Sequence, residues 1–434
     1  MVKHFSLFLC FLFSLLQVDA QEQLHLADAI SMALKNNYSI VISKNEAEIS
    51  TNNNTPGNAG MLPLLNLNGA GNKSVNNTKQ NYSNGLEVNR NNVQSNSLSA
   101  GAALEWTLFN GFKMFATRSK LLELQNQGAL LSKIEIENTV LKIIASYFDI
   151  VRHKELVKAD QNALAIYSER ARIAEAKYNV GSSSKLEVLQ AKVDLNAQRS
   201  AQLKEQTALY NSKVTLNQLL GRTVDTDFDA ADSIVITYQP KPDDLKKTFA
   251  VQNNSLLAAQ RGLHIASYTL KEIESQRYPQ LNIGANYNFS RVENQVGFLL
   301  LNQNLGLNYG FHVTWNIFNG LNISRQVKNA KLDYQNSALR LNDVKSLVES
   351  AVLQGFRNFE DALELLRLEE DNLLLARENV TVGMERFRIG KSIQLELQEA
   401  QKSLEDAENR TTSARYDAKI AETELMRLNG ELVK

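Results

Sequence analysis

Few side chains in this 434-residue chain are spaced for covalent chemistry. Ser182-Ser183-Ser184-Lys185 has the S-x-x-K spacing of penicillin-binding enzymes, but the companion S-D-N and K-T-G motifs are absent. His25, His153, His264 and His312 are scattered without ligand spacing, so no metal site is expected. Asn-x-Ser/Thr triplets such as Asn76-Asn77-Thr78 reflect asparagine richness. No catalytic residue and no cofactor is assigned. Carboxylates offer a different chemistry. Glu396 and Glu399 lie three apart, hence on one helix face. Glu187 is the counterpart of Glu396 in an earlier copy of the same pattern. Like charges held closely raise some pKa values and attract cations.

The element nearest in character to a functional scaffold is Leu305 to Gly320. Leu305, Leu307, Tyr309, Phe311, Val313, Trp315 and Ile317 take alternate positions, with Gly306, Asn308, Gly310, His312, Thr314 and Asn316 between them. A strict period of two gives one apolar and one polar face. The length is excessive for a half-buried strand but suits one tilted across a bilayer. After the hinge Phe318-Asn319-Gly320, about 70 residues read as unbroken helix.

Composition narrows the class. The chain carries 47 basic and 47 acidic residues, which argues against a nucleic-acid binder. Residues 1–20 read as a cleaved secretory signal: Lys3 and His4, an apolar run from Phe5 to Leu16, then Val18-Asp19-Ala20. The only cysteine, Cys10, lies inside that segment, so the mature chain is expected to hold no disulfide or thiolate-metal site. No later segment has 18 consecutive apolar residues; a membrane span, if present, must be a closed barrel.

In order, residues 24–59 read as a helix stopping near Pro56-Gly57, Pro63 to Asn72 as a strand, and Lys73 to Asn96 as a long exposed loop. Leu98 to Phe109 alternates again, followed by Phe109-Asn110-Gly111 and a helix to about Asn179. Gly181 to Ser184 breaks it, and a return helix runs from Lys185 to about Leu220. Residues 221–243 change character and contain a β-like run, Ser233 to Tyr238.

The pattern then restarts. Phe249 to Leu256 echoes Met32 to Ile40 around the pairs Asn36-Asn37 and Asn253-Asn254, and Pro279 with its strand echoes Pro63. Trp106 matches Trp315, Gly111 matches Gly320, and Tyr178–Gly181 matches Phe387–Gly390, all at an offset of 209 residues. Agreement at one constant offset argues for duplication. The expected organisation is a signal peptide (1–20), a first repeat (21–220), a linking or equatorial segment (221–243) and a second repeat (244–434).

In the second copy Val352, Phe356, Phe359, Leu363, Leu366, Leu373, Val380, Met384 and Phe387 follow heptad spacing. Ile393, Leu397, Ala400, Leu404 and Ala407 continue it after the break, and the seam stays alanine-rich. This predicts antiparallel coiled-coil hairpins about 100 Å long. Tyr178 and Phe387 are expected to pack in the seam. Alone, such rods would suit a structural envelope protein or adhesin without transport. The strands argue otherwise. Four per chain cannot close a barrel, since the smallest have eight. Two chains would supply eight strands and a filled interior; three would supply twelve and a lumen lined by Asn282, Asn286, Asn288, Asn308, His312 and Asn316. Lys73–Asn96 and Val292–Asn304 would then be the external loops. Trp106 and Trp315, at strand ends, suit the aromatic girdle against outer-membrane lipid.

The whole mature chain resembles the TolC family of outer-membrane efflux proteins. The resemblance rests on the duplicated order of elements and on two turn motifs, Tyr178–Ala191 (YNVGSSSKLEVLQA) and Phe387–Ala400 (FRIGKSIQLELQEA). It implies a mostly α protein with membrane β: a homotrimer with a twelve-stranded β-barrel and a periplasmic α-barrel of helical hairpins. It implies a passive exit duct of a tripartite efflux or type I secretion system, docked to a periplasmic adaptor (a membrane fusion protein) and, indirectly, to an inner-membrane pump. The implied location is the outer membrane of a Gram-negative bacterium, with a large periplasmic part. The turn residues Val180, Gly181, Ser182, Ile389, Gly390 and Lys391 become adaptor contacts. Glu396 and Glu399 fall where relatives carry aspartates ringing the periplasmic entrance. The chain ends at Lys434, so a C-terminal equatorial extension is expected to be short or absent.

Overall fold

The structure, a computed structural model, describes residues 22–241 and 251–433. The expected signal peptide, Phe249 and Pro242 lie outside the described residues. The elements in order are β1 (Glu22–Leu24), α1 (Leu26–Asn36), α2 (Tyr38–Asn53), β2 (Leu64–Asn81), β3 (Glu87–Asn110), α3 (Lys113–Asn179), α4 (Lys185–Leu220), β4 (Phe228–Ala230), α5 (Asn254–Glu274), β5 (Gln280–Asn294), β6 (Leu301–Thr314), α6 (Asn322–Arg388) and α7 (Gln394–Leu428). All five prolines fall outside α3, α4, α6 and α7, which lets those helices run without a kink. No described helix is long and apolar enough to cross a membrane.

The chain divides into two compact units. One comprises residues 1–45, 131–256 and 345–434; the other comprises 46–130 and 257–344.

The first unit is helical, with one small parallel sheet in which β1 pairs with β4, Leu24 opposite Ala230. Its core gathers Leu24, Ala29, Ala33, Val140, Ile143 and Tyr147 with Leu216, Leu220 and Phe228. Asp232 clamps this corner: it accepts from the Leu26 N–H at 2.7 Å and the Tyr147 hydroxyl at 2.9 Å, and pairs with His25 at 2.9 Å. The hydrogen bond and charge of Asp232 raise the His25 pKa. The linking segment differs from expectation. Ser233 to Tyr238 forms no strand; its backbone turns to α7 instead, where Thr237 and Tyr238 N–H groups donate to Glu422 Oε1 at 2.8 and 2.7 Å.

Two asparagines in this unit make the same pair of bonds. Asn37 interrupts the helix expected through 24–59, and its Nδ2 donates to Leu219 O at 2.8 Å while its Oδ1 caps Ile40 N at 3.1 Å. Asn253 does the same with Leu428 O at 3.1 Å and Leu256 N at 3.1 Å. Asn37 therefore corresponds to Asn253, one residue off the sequence pairing. The partner helices end in matching left-handed glycines. Gly221 and Gly430 carry φ of 65° and 74°, and a Cβ on either would meet the Asn36 or Gln252 carbonyl at 2.6 or 2.9 Å.

The second unit holds an antiparallel sheet in the order β2-β3-β5-β6. Its strands exceed the sequence reading. Most of Lys73–Asn96 is strand, leaving a tight connection around Ser83–Leu86, and Val292–Asn304 shrinks to a loop between Asn294 and Leu301. Asparagine and serine suggested loop, but alternation continues through them, and the cross-strand ladder overrides weak propensity. Cross-strand register puts Trp106, Ile283 and Phe311 on one face, and Asn282 beside Thr107 and His312 on the other. The strands β2 and β6 are the free edges.

Candidate functional site

Each long hairpin turns through a glycine in the left-handed region, Gly181 at φ 76° and Gly390 at φ 72°. The bonding is that of a Schellman motif at both. Gly181 N–H donates to Tyr178 O at 2.9 Å and Ser182 N–H to Lys177 O at 2.9 Å; Gly390 and Lys391 bond Phe387 O and Arg386 O at 3.1 and 2.9 Å. A Cβ on either glycine would meet nothing within 4 Å, so conformation rather than crowding selects glycine. Val180 and Ile389 are 78 % and 63 % exposed, and Ser182 and Lys391 are exposed too. Leu186 and Leu395, again 209 apart, are 73 % and 66 % exposed. Sequence reading passed over these two as contact residues, although their matched spacing was visible. Ile393, expected in the seam, is 62 % exposed, and so is much of Tyr178; Phe387 is buried with Ile173 and Leu397.

The serines of the S-x-x-K segment serve the turn. Ser182 Oγ donates to Lys177 O at 3.1 Å, Ser183 Oγ to Glu187, and Ser184 Oγ caps Glu187 N. Glu187 thus sits in the first turn of α4, where an acid meets the positive end of the helix. Glu396 repeats the arrangement, accepting from Ser392 Oγ at 2.5 Å. Glu399 is exposed and makes no hydrogen bond or ion pair. Of the three carboxylates, then, two are tied into their own turns and one is free. No bond joins Glu187 to Glu396 or Glu399. Lys177 links α3 to α6: its Nζ donates to Phe387 O at 2.6 Å and lies 4.1 Å from the Phe387 ring centroid.

Along α3 and α4 the packing differs from that along α6 and α7. Lys154, Gln161, Ser168 and Glu175 of α3 are exposed or form surface pairs. Burial passes instead to Ala163, Tyr167, Arg170, Ala171 and Ala174. Arg170 is fully buried, paired with Asp194 of α4, bonded to Gln401 Oε1 of α7 at 2.7 Å and stacked on Tyr167. Burial raises the pKa values of Glu405, Glu408 and Asp160. Among the described residues no group of three His, Cys, Asp or Glu side chains is placed to hold a metal ion.

In the sheet, Trp106 and Trp315 make equivalent bonds. Each indole N–H donates at 3.0 Å to a backbone carbonyl two residues before a proline, Met61 O and Arg277 O. The apolar sheet face is open: Leu307, Tyr309 and Phe311 are 60 %, 81 % and 75 % exposed. An alternating sheet with a bare apolar face and two free edges, in a chain of long helical hairpins, fits an outer-membrane channel protein.

The family profile described as outer membrane efflux protein matches residues 29–222 and 247–431, and the chain belongs to that family. It is an outer-membrane protein of the Gram-negative type, and the family is one of channels rather than enzymes. The chain is 21 % identical over 337 residues to the outer membrane efflux protein BepC of Brucella suis biovar 1, covering 76 % of this chain and 72 % of that one. It is 21 % identical over 364 residues to the outer membrane protein TolC of Vibrio cholerae serotype O1, covering 80 % and 81 %. Among solved structures, the Campylobacter jejuni CmeC outer membrane channel shares the fold at a TM-score of 0.81 and 15 % identity, over 94 % of this chain and 86 % of that one.

Proposed function

We propose that three copies of this chain close a twelve-stranded barrel and serve as the passive exit duct of a tripartite efflux or type I secretion system. In this reading residues 21–220 and 244–434 are duplicated halves joined by 221–243. The turns Val180-Gly181-Ser182 and Ile389-Gly390-Lys391, with Leu186 and Leu395 beside them, meet a periplasmic adaptor. An inner-membrane pump supplies the energy. Glu396, Glu399 and Glu187 line the entrance that must widen. Matching of one family profile to two segments supports the duplication.

The observation that carries the closure is an asymmetry between repeats. In β3, Trp106 to Asn110 remain strand because Gln280 to Ile283 pair with them. Their counterparts Trp315 to Asn319 lie outside β6 and have no partner strand among the described residues. Likewise a Cβ on Gly111 would strike Ser275 O at 2.3 Å, whereas one on Gly320 meets only Asn322 Nδ2 at 3.8 Å. The second-repeat edge is shaped for a first-repeat edge that only another copy can bring. Carrying the β3–β5 register across both repeat offsets sets Val313 of one copy opposite Gly69 of the next, and Trp315 opposite Leu67.

Cysteines at those places test this. Val313→Cys with Gly69→Cys, oxidised in outer-membrane fractions, should give a covalent trimer that a reductant dissolves. Val313→Cys with Gly71→Cys, two residues out of register, should give much less. Equal yields, or monomers in both, would remove the closed barrel and restore the alternative of a coiled-coil envelope protein.

A further inference from the structure

The sheet face opposite the apolar one is almost uncharged. Over residues 64–74 of β2, 95–107 of β3, 282–294 of β5 and 302–314 of β6, it carries Asn, Ser, Thr, Gly and Ala with Leu64 and Val292. Only two ionisable groups share it, Glu105 and His312. Lys73, Arg291 and Glu293 alternate onto the other face, where Arg291 and Glu293 pair. Glu105 is exposed and makes no hydrogen bond or ion pair. Its cross-strand neighbour on β5 is Gly284, and the next, on β6, is Gly310.

Those glycines are informative because packing does not demand them. Gly101 yields to a neighbour, since its Cβ would lie 2.2 Å from Asn288 Oδ1. At Gly284 a Cβ would be 4.0 Å from the nearest atom and at Gly310 it would meet nothing within 4 Å. Neither has positive φ. What they leave is a side-chain-free trough running away from Glu105, with His312 held at 3.3 Å by Asn282 along one border. The surrounding cavity is lined by Glu105, Thr107, Asn282, Gly284, Asn286 and His312 among others. Trp106, on the apolar face one residue on, marks the boundary of the lipid band, so Glu105 stands where the lumen leaves the membrane. In the second repeat Thr314 takes the counterpart position, so a trimer carries three such carboxylates; no fixed positive charge shares these lengths of strand, and Arg90, opposite Thr78, is the cation the register places on this face beyond them.

We propose that Glu105 is the specificity-determining residue of the barrel lumen, favouring passage of solutes that carry an ammonium or guanidinium group over anions. This rests on the exit-duct reading above. A lone carboxylate in a neutral amide and hydroxyl lining, walled by low-dielectric lipid and protein, raises the local concentration of cations and repels anions. Amide and hydroxyl groups can accept and donate equally, so they add no sign of their own.

Purified trimers in planar bilayers under a potassium chloride gradient test it, in a Glu187→Ala, Glu396→Ala, Glu399→Ala background that removes the turn carboxylates. The potassium-over-chloride permeability ratio should exceed one and fall by about twofold or more in Glu105→Gln, with conductance retained. Glu105→Cys, in a chain whose only natural cysteine is Cys10, permits charge to be set after assembly. A sulfonate-bearing thiol reagent should restore cation preference and an ammonium-bearing one should invert it. Should Glu105 variants fail to assemble, hexamminecobalt(III) added from the barrel side must still block the background channel. A ratio unmoved by every change at Glu105, or no barrel-side block, overturns the proposal. Absence of any trimeric channel would instead count against the exit duct itself.

Discussion

Glu405 lies on α7 where burial costs its ionised form free energy, and the Tyr167 hydroxyl is its bonded partner while Oε1 has none. Burial raises its pKa, with the Tyr167 bond opposing. The folded state therefore takes up this proton at higher pH than the unfolded chain, so stability gained on protonation is present at acid pH and lost as pH rises through the folded value. Glu405→Gln keeps an acceptor for Tyr167 and removes the charge. At pH 7 its denaturation midpoint in detergent should lie above that of the unaltered protein, and the gap should narrow toward pH 5. A gap independent of pH would show that the charge is not the cause. The neighbouring Arg170 is the opposite case, a buried cation whose pairing with Asp194 and Gln401 offsets its desolvation. This buried ionic knot depends on three helices meeting.

At the scale of elements, the helix ends carry the specification. Gly221 and Gly430 close α4 and α7 against Asn36 and Gln252, while Gly181 and Gly390 turn in open solvent. The same residue in the same conformation should therefore respond differently. Gly221→Ala adds conformational strain and a clash with a backbone carbonyl, and should cost about 2–4 kcal/mol of unfolding stability. Gly181→Ala adds the strain alone, about 1–2 kcal/mol. Chemical denaturation of the paired variants checks the ordering; equal costs would contradict the close approach. Element existence was legible from periodicity: α3, α4 and α6 end within a residue or two of the expected places. The strands were under-read, because asparagine-rich alternation looks like loop until a neighbouring strand supplies its ladder.

For the whole molecule, the proposed closure rests on contacts that one chain cannot make. If Glu396 and Glu399 line a shared entrance, the double change Glu396→Ala, Glu399→Ala should raise single-channel conductance and lower cation preference of the trimer in planar bilayers. Unchanged conductance and selectivity would remove the entrance role. Glu396 is already held by Ser392, so Glu399, which is free, should carry the larger share of the effect when each is altered singly.

What the sequence by itself determined is periodicity: the two-residue alternation that makes a membrane face, the heptads that make hairpins, the glycines that end them, and the constant offset relating the halves. Those are local properties, written in side-chain order. Tertiary structure decided which partners those faces find: that Asn37 answers to Asn253, that Phe228 rather than Ser233 joins Leu24's small sheet, that Ile393 stands in solvent, and that Glu105 faces two glycines. Such pairings join residues tens to hundreds of positions apart, and side-chain order along one element carries no information about which distant element will be laid against it.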